Sequence, residues 1–160
     1  MSFDDDVDFA LAAFRDQGEW QVQELTHHHL VDIETLADAL RRLPGDAGAV
    51  GLIEIDEDFF VLVRVVGETT RVLLSDVTAA DDWDLAASAV DFLGVDQPDA
   101  DDEQVPVGDL ALLADLGLSA VELAELLDDD DLYPDEILSD VADSLGFGEL
   151  FDDAVGLTSA

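Results

Sequence analysis

Residues 49–75 read AVGLIEIDEDFFVLVRVVGETTRVLLS, three runs of aliphatic, aromatic and β-branched residues separated by Asp56–Asp58 and Gly67–Glu68. Runs of this length and composition, bounded by turn residues, are typical of consecutive antiparallel strands. Three strands are therefore predicted: Ala49–Ile55, Phe59–Val66 and Thr69–Ser75.

The short breaks also fix how these strands pair. A three-residue first loop places Ile55 opposite Phe59, and a two-residue second loop places Val63 opposite Val72. Because alternate side chains of a strand point to opposite faces of the sheet, this register makes one face wholly apolar. The side chains on that face belong to Ile53, Ile55, Phe59, Val61, Val63, Val65, Val72 and Leu74.

Elements around the three strands extend the sheet and cover its apolar face. Val7–Arg15 and Glu19–Leu25 lie on either side of a turn signal at Asp16–Gly18, so we predict a β-hairpin. Asp32–Leu43 carries apolar residues at helical spacing behind Asp32, a good N-cap, and this helix can cover the face. A second helix is predicted over Asp82–Leu93.

The remaining chain predicts helices behind a polar spacer. Residues 94–107 contain Pro98, Pro106 and five acidic residues, which is typical of a linker. Short helices are expected over Gly108–Leu116, from Ser119 to Leu127 and from Pro134 to Leu145, with Phe147, Leu150 and Phe151 as a closing anchor.

The predicted fold class is α+β: an antiparallel sheet of about five strands covered by a helix, followed by a small C-terminal helical subdomain. The predicted divisions are an α+β domain over 1–93, an acidic linker over 94–107, a helical subdomain over 108–153 and a tail over 154–160.

The second face of the sheet carries an unusual pair. The predicted register places Arg64 directly opposite Arg71, and like charges facing across strands are unfavourable without an anion between them. Two explanations stay open. Either the protein's own carboxylates neutralise the pair, with Glu54 or Asp76 as candidates, or Arg64 and Arg71 form a site for a small anion or a partner carboxylate.

The net charge of −36 arises from 41 Asp and Glu against five Arg, with no Lys. Three explanations fit it: a solvated surface suited to a salty cytoplasm, a surface matched to a basic partner, or mimicry of nucleic acid. We expect no direct binding of DNA or RNA, because five arginines can hardly form the basic patch that binding to phosphates needs.

Residue types that carry chemistry are scarce. There is no Cys, and the Gly-rich phosphate loops and serine nucleophile motifs are missing from the sequence. His27–His29 is the one histidine cluster, so His27, His29 and Asp32 are the only metal candidates, without the further ligand that a native site needs. We therefore predict a non-enzyme with no catalytic residues, no metal site and no cofactor.

Targeting signals are not apparent either. Met1–Asp8 is acidic, whereas a signal peptide begins with positive charge, and no apolar run approaches the length of a membrane span. We expect a cytoplasmic protein.

The order of several segments is similar to that of a known family. The segments are Asp58–Val65, Arg71–Asp76, Gly108–Leu110 with Leu113–Gly117, and Leu132–Asp135 with Leu145–Phe147. Together they resemble the actinobacterial tRNA adenosine deaminase-associated proteins over about Phe9–Phe151.

The resemblance implies a setting rather than a reaction, since the family brings no established activity or catalytic residues. Zinc-dependent deaminases hold their metal with a His-x-Glu and a Pro-Cys-x-x-Cys set, and this sequence has neither. The resulting expectation is an accessory protein that binds a basic protein, with tRNA adenosine deaminase as the candidate partner. The alternative is a small-anion or metal-binding protein that uses Arg64 and Arg71 or the cluster His27–His29.

Overall fold

A six-stranded antiparallel sheet forms the centre of the computed structural model, which describes residues 7–25, 32–43, 48–55, 59–81, 83–94, 106–129 and 133–155. The strands are β1 (Val7–Asp16), β2 (Glu19–Glu24), β3 (Ala49–Ile55), β4 (Phe59–Val66), β5 (Thr69–Leu74) and β6 (Val107–Gly108). Their order across the sheet is β2-β1-β3-β4-β5-β6.

Five α-helices lie among the described residues. They are α1 (Ile33–Arg41), α2 (Asp84–Leu93), α3 (Ala120–Leu127), α4 (Pro134–Leu145) and α5 (Gly148–Val155). Two short 3₁₀ helices, Val77–Asp81 and Ala114–Leu116, complete the elements. The α+β class predicted from the sequence is confirmed, with a sixth strand of two residues added to the sheet.

The predicted register of the central strands is also confirmed. Ile55 pairs with Phe59 across β3 and β4, and Val63 pairs with Val72 across β4 and β5. The hairpin of β1 and β2 joins this unit through β1, which pairs antiparallel with β3. The first and third strands along the chain are therefore neighbours, and β2 lies at the edge.

One face of the sheet packs against α1 and α2. Ile33, Leu36 and Leu40 of α1 and Leu85 and Val90 of α2 are buried there in one cluster with the predicted apolar face. Asp32 caps α1, accepting a hydrogen bond from the Thr35 amide at 2.7 Å. The sequence-based assignment of this helix and its contact face is correct.

The opposite face packs against the C-terminal helices. Leu11, Leu52, Phe60, Leu62 and Leu73 of the sheet share a second buried cluster with these helices. The helical members of the cluster are Leu123, Ile137, Leu138, Val141, Ala142, Leu145 and Phe151. The C-terminal helices thus share a core with the sheet.

Aromatic contacts hold the last helices against the hairpin. The Phe147 ring lies 4.8 Å from the Trp20 ring, and the Phe151 ring meets the Phe9 ring edge-on at 5.4 Å. Phe147 and Phe151 are therefore the closing anchor expected from the sequence. The prediction is wrong for Leu150, the third residue expected in this role, because its side chain is 41% exposed.

The helix predicted over Gly108–Leu116 is wrong in its first part. Val107 and Gly108 instead pair with Leu74 and Leu73 of β5, and helical structure begins only at Ala114. A glycine is needed at this edge, since Gly108 has φ +129° and a Cβ there would collide with the Val72 carbonyl oxygen. The edge pairing, rather than helix propensity, determines the local structure.

The predicted domain boundaries stay predictions. Of the proposed linker, residues 95–105 lie outside the described residues, as do 156–160 of the proposed tail. Within the described ranges, no helix combines the length and hydropathy needed to cross a bilayer.

Gly108→Ala tests the close approach of the edge strand. We expect it to lower the free energy of unfolding by about 2–4 kcal/mol, because a Cβ adds a steric clash to a left-handed conformation. Gly94→Ala is the matched control: Gly94 has φ +72° with no atom within 4 Å of a built Cβ, so strain of about 1–2 kcal/mol is expected there. Urea denaturation measures both, and equal losses would contradict the clash.

Candidate functional site

Arg64 is a buried cation on the C-terminal face of the sheet. Its side chain is 3% exposed, and its two terminal nitrogens donate to the Asp115 carboxylate at 2.7 and 3.0 Å. The same guanidinium donates to the Leu112 carbonyl oxygen at 3.1 Å. A forked contact with a carboxylate suits the planar guanidinium and fixes its direction.

Arg71 lies directly opposite Arg64, as the sequence predicted. Its Nε is 3.6 Å from the Asp109 carboxylate, and both side chains are partly exposed. Asp109 follows β6, and its backbone amide donates to the Val72 carbonyl oxygen at 3.0 Å. The edge strand therefore brings one carboxylate over Arg71, and the 3₁₀ turn after it brings another to Arg64.

Carboxylates of the protein itself thus neutralise the arginine pair: Asp115 binds Arg64, and Asp109 lies beside Arg71. Asp76 accepts hydrogen bonds from the backbone amide and the hydroxyl of Thr78 at 2.9 and 2.6 Å, so it holds its own turn. Glu54 faces Phe60 in the ladder, whereas Arg64 faces Val50. Asp109 and Asp115 lie some forty positions farther along the chain than the arginines.

The ion pair changes the acidity of its carboxylate. Hydrogen bonds from Arg64 lower the pKa of Asp115 below its ordinary value of 3.8, and the charges of Arg64 and Arg71 act in the same direction against the cost of partial burial. Asp115 is 64% exposed, so solvent screens part of this attraction. The carboxylate stays charged at neutral pH and holds the segment on the sheet.

A cleft of about 520 Å³ opens beside the pair. Its lining residues are Arg64, Val66, Thr69, Arg71, Ala111, Leu112, Ala114 and Asp115. Arg64 is already occupied by Asp115 and the Leu112 carbonyl, so an anion entering the cleft would depend mainly on Arg71. The role of Arg64 and Arg71 as an anion or partner contact stays a prediction.

Of the three metal candidates, the structure describes only Asp32. His27 and His29 lie outside the described residues, and Asp32 serves as the N-cap of α1. Over the described ranges, no group of three or more His, Asp or Glu side chains is arranged to hold a metal ion.

All five arginines lie at one end of the sheet. The strand register places Arg15 of β1 at the same end as Arg64 and Arg71. Phe14, next to Arg15, pairs with Ala49, and Ala49 pairs with Val65, next to Arg64. Val65 in turn pairs with Thr70, next to Arg71. Arg41 at the end of α1 donates from Nε to the Gly67 carbonyl oxygen at this same end, and Arg42 is the next residue. Sequence reasoning missed this arrangement, since it follows from the register of four strands together.

The chain after Arg71 has the opposite character. Residues 72–160 contain 25 Asp and Glu and no Arg, Lys or His. These residues include α2 to α5, so the helices that cover the second face of the sheet carry acidic side chains without a single basic one. Charge is thus strongly segregated along the sequence.

Comparison with known proteins shows the family of this chain. The family described as Rv3753c-like tRNA adenosine deaminase-associated protein matches residues 8–148. This chain belongs to that family. It is 38% identical to Protein Rv3753c of Mycobacterium tuberculosis over 144 residues, which covers 88% of this chain and 83% of the relative.

The family match confirms the resemblance seen in the sequence. It spans the arginine pair and both of these carboxylate partners, and it ends at Gly148, the first residue of α5. No solved structure matches the chain at a significant level. The family is described by its association with a deaminase and is not itself described as one.

Asp115→Asn tests how far the ion pair holds the C-terminal segment of this family member on its sheet. We expect a loss of about 1–3 kcal/mol in the free energy of unfolding, because the buried Arg64 guanidinium loses its charged partner. Asp109→Asn is the control, with an expected loss of about 0–1 kcal/mol at its exposed and longer contact. Urea denaturation at one ionic strength compares them, and a larger loss in Asp109→Asn would contradict the assignment.

The same variant isolates the pH dependence of the pair. The folded-state pKa of Asp115 is lowered, so its contribution to stability is present above the ordinary value of 3.8 and disappears as the pH falls through the folded value. The difference in unfolding free energy between the unmodified protein and Asp115→Asn should therefore shrink as the pH is lowered from about 6 toward 3. Urea titrations across this range measure it, and a constant difference would show that the carboxylate charge does not matter.

Proposed function

We propose that this protein is a non-catalytic accessory protein of the cytoplasm that binds a basic protein partner, with tRNA adenosine deaminase as the candidate. The observation that carries the proposal is the segregation of charge: 25 acidic residues and no basic ones after Arg71. A surface of one sign attracts and orients a partner of the other sign during encounter. The family description supplies the candidate.

Exposed apolar side chains on the acidic helices support a binding role. Val121 of α3 is 68% exposed, and Tyr133, just before α4, is 68% exposed. Interfaces combine apolar contact area with a polar rim, and here carboxylates surround both residues in the sequence. The arginine-bearing sheet face is a poorer contact surface, because the segment over residues 109–116 covers Arg64.

The sequence also favours binding over chemistry. It has no Cys and three adjacent histidines, so the zinc-holding set of a deaminase cannot be formed from it. An acidic accessory protein beside a tRNA-modifying enzyme would act on the enzyme, since the tRNA phosphates repel a chain of this charge.

Co-purification from native cells tests this function. With this protein as bait at 50 mM salt, we expect to recover the deaminase, and at 500 mM salt we expect to lose most of it, because the attraction between exposed charges is screened. An unrelated acidic protein of similar size and net charge serves as the control bait. The proposal is wrong if no basic protein is recovered at low salt, or if the control bait recovers the deaminase equally well.

A further inference from the structure

Helix α3 separates two grooves on the acidic side of the protein. The first groove is apolar and measures about 430 Å³. It is lined by Pro106, Leu110, Val121, Ala124, Glu125, Leu127 and Asp128. Val121 lies at this groove and is mostly exposed to solvent. Together with its apolar neighbours, it could bury an apolar surface of another molecule.

The second groove is acidic and measures about 410 Å³. Five carboxylates line it, together with Leu118, Leu126 and Ser144: they belong to Glu122, Glu125, Asp129, Asp140 and Asp143. Because no basic residue follows Arg71 in the sequence, α3 and α4 supply no cation to this groove. Like charges brought together by folding repel each other, and a bound cation would relieve that repulsion.

The two grooves are adjacent because of helical spacing. Val121 and Ala124, three residues apart, line the groove on one side of α3, whereas Glu122 and Leu126 line the groove on the other. Glu125 lines both grooves, so the apolar and acidic surfaces meet at one side chain. A ligand that spans α3 would meet an apolar surface and a row of carboxylates together.

We propose that α3 is the docking ridge for a basic amphipathic segment of the partner protein. The apolar side chains of the segment enter the groove beside Val121, and its Arg or Lys side chains enter the groove between α3 and α4. The inference rests on the proposed function and adds the contact surface and the chemistry of the bound segment. Charge complementarity selects this occupant over a second copy, which would bring another net charge of −36.

Two synthetic peptides test the recognition. The first is an 18-residue peptide that places Leu on one helical face and Arg on the adjacent face, and the second has the same composition in permuted order. We expect the amphipathic peptide to bind at least about tenfold more tightly at 150 mM salt, as measured by fluorescence anisotropy. Equal affinities would overturn the proposal, because charge alone would then account for binding.

Matched variants test whether the peptide binds at α3. Val121→Asp and Glu125→Lys change exposed side chains of the two grooves, and Leu150→Asp and Glu149→Lys change exposed side chains of α5. The preference for the amphipathic peptide should vanish in the α3 variants and persist in the α5 variants. Equal losses in both pairs would overturn the assignment, and unfolding curves of all four verify that each variant is folded.

Two further measurements separate this inference from the proposed function. If the deaminase binds Val121→Asp as tightly as the unmodified protein, the ridge is wrong and the accessory function stands. If the peptide is recognised but no deaminase is recovered from cells, the ridge stands and the candidate partner is wrong. Sedimentation of the free protein covers the remaining occupant, since a dimer that Val121→Asp dissociates would identify a second copy and overturn the proposal.

Discussion

Burial of the sheet on both faces is the constraint on which this fold depends. Every residue of β3 is buried, and so is every residue of β4 except Val66 at its end. Antiparallel sheets commonly leave one face to water, but here both faces are apolar and each must be covered. Burying one large apolar side chain contributes about 1.5–3 kcal/mol, so leaving either face open would cost more than a typical domain can lose. Helices α1 and α2 cover one face, and the chain after β6 covers the other.

Local sequence patterns predicted the elements that depend on near neighbours. The three-strand unit, its register and the pairing of Arg64 with Arg71 followed from alternation and loop length, and the cap of α1 followed from Asp32. What the patterns could not supply was the choice among many carboxylates for Arg64. Asp115 is far away in sequence, and the contact with Arg64 depends on the path of the chain after β6 pairs with the sheet edge at β5. The predicted helix start at Gly108 is wrong for the same reason, because Gly108 lies against β5, which is distant in sequence.

Basic and acidic residues are segregated along the sequence, and the structure shows where each kind lies. Three of the arginines at one end of the sheet contact acceptors of the protein itself: Arg41 the Gly67 carbonyl, Arg64 the Asp115 carboxylate and Arg71 the Asp109 carboxylate. No basic residue follows Arg71, so the sequence beyond it supplies no cation to the acidic side chains of the C-terminal helices. This imbalance of charge is the physical basis for proposing a basic protein as the partner.

The two outer strands bear on the behaviour of the protein at high concentration. An open strand edge is a template for pairing between molecules, and aggregation follows when the edge is long and apolar. Among the described residues, β6 pairs with β5 at Leu73 and Leu74, and Arg71 lies on the part of β5 before this pairing. At the other edge, β2 begins with Glu19 and ends with Glu24, both exposed. Charged residues at both outer strands oppose the edge-to-edge pairing of molecules from which fibres grow.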